Sequence, residues 1–145
     1  NLVLADTYQG LPVTEIQENA FKDCTSITSV VIPKTITTMK EDAFTGCTSL
    51  AEVYIFDLTR WCDISFEFAC NPLNYAEKLY LDGELITDLV IPDAVTEIKA
   101  FTFAKYMGVT SVSLPETLTK IGDLAFADCT NLATVTFPKN LTSRF

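Results

Sequence analysis

Apolar residues recur along the chain with a spacing of 23 residues. Ala43-Phe44 follows Ala20-Phe21 at 43 − 20 = 23, and Pro138 follows Pro115 at 138 − 115 = 23. A constant period in the twenties is typical of a solenoid, in which each repeat buries its apolar face against its neighbours. The sequence contains four copies and the start of a fifth, which begin at Val13, Ile36, Val95, Leu118 and Leu141.

The apolar positions keep fixed offsets within each copy. The spacing of Ile27, Val30 and Ile32 is the L-x-x-L-x-L core of a leucine-rich repeat. Alternation at Val30 and Ile32 predicts a short strand with both side chains inward, and copies of that strand should stack in parallel about 4.8 Å apart. We therefore predict an α/β solenoid with short parallel strands on its concave face.

The segments between these strands should form the convex face as short helices or turns. Residues 18–24 and 123–129 each place a Phe three residues before a Cys, a spacing that puts both side chains on one face of a helical turn. The repeated rings predict an aromatic column of Phe21, Phe44, Phe103 and Phe126. The third copy has Tyr106 where the others have Cys, so we expect its turn to pack differently.

Residues 57–88 form an enlarged repeat, and we call this segment the insert. Val53 and Leu89 occupy equivalent positions 89 − 53 = 36 residues apart, which is 36 − 23 = 13 more than one period. Leu58, Trp61, Cys62 and Ile64 predict a short helix that packs on the core, and Asn71-Pro72 predicts a turn that begins another. Residues 79–86 predict a hairpin around Asp82-Gly83, whose first strand could join the main sheet. Trp61, the only tryptophan, is interpreted either as a core residue or as an anchor for a binding partner.

Composition excludes several classes of function. A net charge of −9 argues against nucleic acid as a partner, and no apolar run is long enough for membrane insertion. The chain has no histidine, so neither a zinc site nor a Ser-His or Cys-His catalytic pair is expected. Its five cysteines are predicted to be buried thiols; a Cys24–Cys47 disulfide is geometrically conceivable, but the odd count disfavours a disulfide framework. We predict no catalytic residues, no cofactor and no metal.

Outward residues on the predicted strands are the candidate binding surface. Tyr54, Phe56 and Tyr80 should lie near one another if residues 79–81 form a sheet strand, and exposed rings in the middle of a surface could bind protein or glycan. Phe56 could instead turn inward beneath the insert. The predicted ligand-binding residues are Glu52, Tyr54, Phe56, Tyr80 and Val31, with Trp61 as the candidate anchor in the insert.

The run from Ile32 to Leu50, with its Ile-Pro-x-x-Ile-Thr-x-Met and Ala-Phe-x-x-Cys-Thr-Ser-Leu segments, closely resembles the BspA-like leucine-rich-repeat family. Residues 91–98 and 114–132 carry the same motifs, and the insert from Trp61 to Leu85 resembles one that recurs in these proteins. The resemblance implies a right-handed leucine-rich-repeat superhelix on large surface or secreted proteins of host-associated bacteria and some parasitic protists. It also implies adhesion to host matrix proteins, host cells or other microbes.

Two functions follow as expectations. The first is a non-enzymatic binding module, extracellular or on the cell surface, that adheres to a protein or carbohydrate ligand through the concave face. The second is a structural spacer that presents another domain. We expect residues 1–145 to be a single solenoid and a fragment of a longer protein, because the fifth copy is cut off at Phe145. A lone Asn140-Leu141-Thr142 sequon would matter only in a eukaryotic secretory pathway.

Overall fold

The chain folds as a parallel β-solenoid with repeats of about 23 residues. The structure, a computed structural model, describes residues 1–139 and 141. The sequon residues Asn140 and Thr142, and the predicted fifth copy beyond Leu141, lie outside the described residues.

Two sheets form the face predicted to carry the parallel strands. The first sheet stacks four strands in parallel and ends on one antiparallel strand; in spatial order they are Leu2–Val3, Ser29–Val31, Glu52–Ile55, Lys78–Leu81 and Glu84–Leu85. The second sheet is parallel and contains Asp88–Val90, Ser111–Ser113 and Thr134–Thr136. The predicted inward column is confirmed, since Val30 pairs with Val53 and Leu89 pairs with Val112.

A second set of shorter strands runs along the side of the solenoid, where the sequence analysis predicts none. It stacks Glu15–Ile16, Thr38–Met39 and Ser65–Phe66 in parallel, and further on Glu97–Ile98 and Lys120–Ile121. Each is only two residues long, too short to show an alternation in the sequence. At the start of the chain, Thr7–Tyr8 and Leu11–Pro12 form a small antiparallel hairpin.

The segments predicted as short helices or turns are turns in the described residues. Alternate backbone N–H groups donate to the carbonyl three residues earlier, as Cys24 does to Phe21. The N–H groups between them donate to a carbonyl of the next repeat, as Phe21 does to Ala43. The pattern requires left-handed backbone at Asn19 and Asp23, with φ near +58° and +59°, and this recurs 23 residues later at Asp42 and Gly46. Because half of the N–H groups bond across repeats, no α-helical ladder forms.

The aromatic column on these turns is present in two parts. The rings of Phe21 and Phe44 stack with centroids 5.2 Å apart, and those of Phe103 and Phe126 stack at 5.3 Å. The insert separates the two pairs.

The insert has the elements that the sequence predicts. The α-helix spans Leu58–Asp63, with the side chain of Asp57 accepting a hydrogen bond from the backbone N–H of Arg60 at 3.2 Å. A 3-10 helix spans Pro72–Asn74, and Asn71 caps it by accepting from the N–H of Leu73. Asp82 and Gly83 both have positive φ, as a type I′ turn requires, and join the two strands of the predicted hairpin.

Tyr106 explains why the third copy departs from the repeat pattern. Its ring is fully buried, and its hydroxyl donates to the carbonyl of Ile86 and accepts from the N–H of Leu79 at 3.2 Å. Both partners belong to the insert hairpin. A Cys at this position, as in the neighbouring copies, is too short to reach them, so the substitution fits the enlarged repeat beside it.

The five cysteines are free thiols, and the prediction that they are buried is confirmed for three of them. Cys47, Cys62 and Cys70 are buried, while Cys24 and Cys129 are partly exposed. The thiols of Cys47 and Cys129 donate to the carbonyls of Phe21 and Phe103. Burial raises the pKa of Cys62 and of Cys70 to about 12.

Replacing Tyr106 by Phe should destabilise the protein by about 1–3 kcal/mol, because two buried backbone groups would lose their partner. The free energy of unfolding in urea measures this. Tyr54→Phe is the matched control, since it removes a hydroxyl whose partner, Glu52, remains accessible to water; we expect it to change stability by less than about 0.5 kcal/mol. Equal stability of Tyr106→Phe and wild type would contradict the bonding described here.

The buried thiol of Cys62 should make the protein sensitive to alkali. The pKa of this group is raised in the folded state, so its stabilising contribution is complete below the unfolded pKa near 9 and is lost as pH rises toward 12. Between pH 8 and pH 10, wild type should lose about 1 kcal/mol more stability than Cys62→Ala, measured by urea unfolding at both pH values. Parallel losses in the two proteins would show that the thiol does not titrate differently on folding.

Candidate functional site

The register of the five-stranded sheet aligns apolar side chains across its outer surface. Val3 pairs with Val31, Val31 with Tyr54, Tyr54 with Tyr80, and Tyr80 with Leu85. We call these five residues the apolar row. Val3 is 69% exposed and Leu85 is 46% exposed, while the three residues between them are half-buried. A continuous apolar line of this kind on a sheet surface is unusual unless something covers it.

The centre of the row is a stacked tyrosine pair. The rings of Tyr54 and Tyr80 lie 4.7 Å apart and within 10° of parallel. The Tyr54 hydroxyl donates to a carboxylate oxygen of Glu52 at 2.8 Å, and this hydrogen bond raises the pKa of Tyr54 above its ordinary value. Lys78 approaches the other oxygen of Glu52 at 3.9 Å. The phenol is therefore held as a neutral donor, and Glu52 fixes the orientation of its ring.

Phe56 extends the row into a cleft. Its side chain is 45% exposed, so it does not turn inward beneath the insert. It lines an open cleft of about 590 Å³ together with Val3, Val31 and Lys34. Four of the five predicted ligand-binding residues, Val31, Tyr54, Phe56 and Tyr80, therefore lie on one surface, and the fifth, Glu52, is bonded to Tyr54.

Val3 and Leu85 were not predicted. Val3 lies 31 − 3 = 28 residues before its partner Val31, five more than one period, because the Thr7–Tyr8 and Leu11–Pro12 hairpin adds length there. Leu85 belongs to the antiparallel return strand of the insert, which has no counterpart in the other repeats. The pairing of Val3 could not be read from the repeat period, whereas the predicted hairpin already implied the position of Leu85 beside Tyr80.

Trp61 is a core residue. Its side chain is 2% exposed, its indole N–H donates to the carbonyl of Thr102 at 3.2 Å, and its ring packs edge-on against Phe66. A ring enclosed on all sides cannot contact a partner, so the interpretation of Trp61 as an anchor is wrong. Its role is to join the insert to the next repeat.

The second sheet presents a different surface. Its outward positions carry Asp88, Ser111, Ser113, Thr134 and Thr136, and the hydroxyl of Ser111 donates to Asp88 at 2.7 Å. Val90 is the apolar exception, at 65% exposure. Among the described residues its outward positions carry no ring, so it does not continue the apolar row.

Over residues 1–139 and 141, His, Cys, Asp and Glu side chains form no group of three or more that could hold a metal ion. In the same residues, no helix has the length and apolar character that crossing a bilayer requires. The site is therefore described by its apolar row, its tyrosine pair and its cleft.

The chain is similar to known bacterial proteins. No curated protein matches it significantly. Among solved structures, the T. pallidum leucine rich repeat protein is 25% identical, with a TM-score of 0.54, over 97% of this chain and 66% of that one. A leucine rich cell surface protein from Faecalibacterium prausnitzii A2-165 is 23% identical, with a TM-score of 0.41, over 93% of this chain and 46% of that one. The chain thus spans less than two thirds of the length of either protein.

The sequence profile of one family matches nearly the whole chain. It describes a BspA type leucine rich repeat region in six copies, and it matches residues 9–78 and 74–144. The match agrees with the motifs at Ile32 to Leu50 and with the parallel stacking of the strands. The chain belongs to the BspA type leucine-rich-repeat family.

Proposed function

We propose that this chain is a non-enzymatic binding module of a bacterial surface or secreted protein, and that the apolar row is its ligand-binding surface. The observation that supports the proposal most directly is the alignment of Val3, Val31, Tyr54, Tyr80 and Leu85 on one outer face. Leaving these side chains in water forgoes the free energy that burial would supply, about 25 cal/mol for each Å² of apolar surface. A ligand that covers the row recovers it.

The family supports the cellular setting. Proteins of the BspA type are bacterial surface proteins, so we place this chain outside the cytoplasm, on the cell surface or in the medium. The ligand in such a setting is a host protein, a host glycan or the surface of another microbe. Adhesion is the corresponding biological role.

The chemistry of the side chains supports a role without catalysis. The chain contains no histidine, and the thiols of Cys62 and Cys70 have pKa values of about 12, so neither is a thiolate at neutral pH. The glutamate of the site is engaged by Tyr54 and Lys78 and holds a ring in place.

Binding of the purified chain to an array of host matrix proteins and glycans tests the proposal. Wild type should bind at least one component, and Tyr54→Ala/Tyr80→Ala should bind it at least about tenfold more weakly, because hot-spot rings each contribute on the order of 1–2 kcal/mol. Ser113→Ala/Thr136→Ala is the matched control, since it truncates outward residues of the second sheet in the same register, and it should bind like wild type.

Two results would count against the proposal. Loss of binding in the control alone would place the site on the second sheet. Absence of binding by a folded wild-type chain would favour the alternative, a structural spacer that presents another domain.

A further inference from the structure

The stacked arrangement of Tyr54 and Tyr80 restricts what can bind to them. Their ring separation of 4.7 Å is close to the spacing between strands, and their planes are nearly parallel, so the rings stand side by side across the row. One face of each ring covers the other ring. The opposite faces point along the row toward Val31 and Leu85, their partners on the flanking strands.

The pair therefore presents ring edges and hydroxyl groups to a ligand. Stacking of a sugar on an aromatic side chain needs an open ring face against which the C–H groups of the sugar can lie. In the register of the sheet, Val31 and Leu85 are the residues beside the two remaining ring faces. The geometry favours a ligand that contributes its own apolar side chains over one that stacks as a flat ring.

The spacing of the row fits a particular polypeptide conformation. Five strands give four intervals of about 4.8 Å, or about 19 Å in all. An amphipathic helix places a new apolar residue about every 5.4 Å along its axis, and about 13 residues span the row. An extended strand places side chains on one face every 6.6–6.8 Å, so after two intervals its side chains no longer match the spacing of the row.

The charges beside the row favour a basic partner. The whole chain carries −9, and the residues that flank the row include more carboxylates than cations. The carboxylates are Asp6, Glu52, Asp57, Asp82 and Glu84. The cations are Lys34, Arg60 and Lys78, of which Lys78 is already drawn toward Glu52. Lysine or arginine on the borders of a ligand's apolar stripe would face this excess.

We propose that the apolar row binds a cationic amphipathic helix of a partner protein, with the apolar stripe of the helix lying across the strands from Val3 to Leu85. This inference rests on the proposed function, since it names the class of ligand for the same surface. Complementary charge steers the helix to the sheet, and contact with the row holds it there.

Fluorescence anisotropy with synthetic peptides tests the inference. The first probe is a labelled peptide of leucine and lysine, about 14 residues long, with leucines at helical spacing. The second has the same composition with leucine and lysine alternating, and the third keeps the helical pattern with glutamate in place of lysine. A glycan array is run beside them. Wild type should prefer the first probe by at least tenfold over the other two.

Two variants separate the row from simple attraction between charges. Tyr54→Ala/Tyr80→Ala keeps the net charge, and so does Val31→Gln, which places a polar group where the helix would lie; each should bind the first probe at least tenfold more weakly. Ser113→Ala/Thr136→Ala should bind it normally. Urea unfolding confirms that each variant is folded, and Val31→Gln alone suffices if the double variant is not.

The outcomes distinguish this inference from the proposed function. Equal binding of the first probe by wild type and both row variants would mean that charge alone attracts it, which overturns the inference. Binding to glycans that depends on the tyrosines, with no preference for the helical peptide, overturns the inference and leaves the binding module intact. Absence of binding by wild type to the peptides and to the glycans overturns the inference alone, and the array of host matrix proteins then decides the proposed function.

Discussion

The structure depends on hydrogen bonding in register between successive repeats. In the turns between strands, the N–H of Phe21 donates to the carbonyl of Ala43 at 2.8 Å, and the N–H of Phe103 donates to the carbonyl of Ala125 at 2.8 Å. On the strands, Val30 lies beside Val53. Stacking in register places each residue next to its equivalent one repeat away, so a single favourable side chain becomes a column. The buried columns stabilise the solenoid, and the outward ones form its surface chemistry.

An insertion into such a stack must restore the register on its far side, and the insert does so with three contacts. The side-chain amide of Asn71 donates to the carbonyls of Phe101 and Thr102 at 3.0 Å, replacing bonds that a regular turn would have made. The indole of Trp61 reaches the same carbonyl of Thr102. Tyr106 bonds the hairpin from the other direction. The carbonyl of Thr102, which the insert would otherwise leave without a partner in the core, is hydrogen-bonded in this way. These bonds matter because an unpartnered buried carbonyl costs about 1–3 kcal/mol.

Periodicity and turn chemistry were sufficient to predict the columns, the insert helix and the Asp82-Gly83 hairpin, because each depends on residues close in sequence. The backbone conformation of the turns was harder to predict. Asn19 and Asp42 hint at left-handed backbone, but the equivalent residues Phe101 and Leu124, at φ +64° and +56°, are types that seldom adopt it. There the bonds between repeats decide the conformation against local preference. Gly46 shows the same constraint, since a Cβ on it would lie 2.0 Å from the Asp23 carboxylate.

Periodicity and turn chemistry predicted part of the candidate site, as they predicted the core. The prediction of the site was incomplete because, as in the turns, some positions depend on bonds between distant segments. Tyr54 and Tyr80 could be placed together because the Asp82-Gly83 hairpin signal predicted an extra strand, and that strand carries Tyr80. Val3 and Leu85 depend on pairings that interrupt the period, one after an added hairpin and the other in an antiparallel strand.

The second of those interruptions also defines where the surface ends. The antiparallel strand Glu84–Leu85 pairs with Lys78–Leu81 and does not continue the parallel stack, so Asp88–Val90 begins a separate sheet. Apolar side chains occupy one side of this boundary, whereas hydroxyl groups predominate on the other side beside Asp88 and Val90. The inward column nevertheless continues across it through Leu79 and Leu89, both buried. The insert thus leaves the core uninterrupted while it separates the outer face into two surfaces.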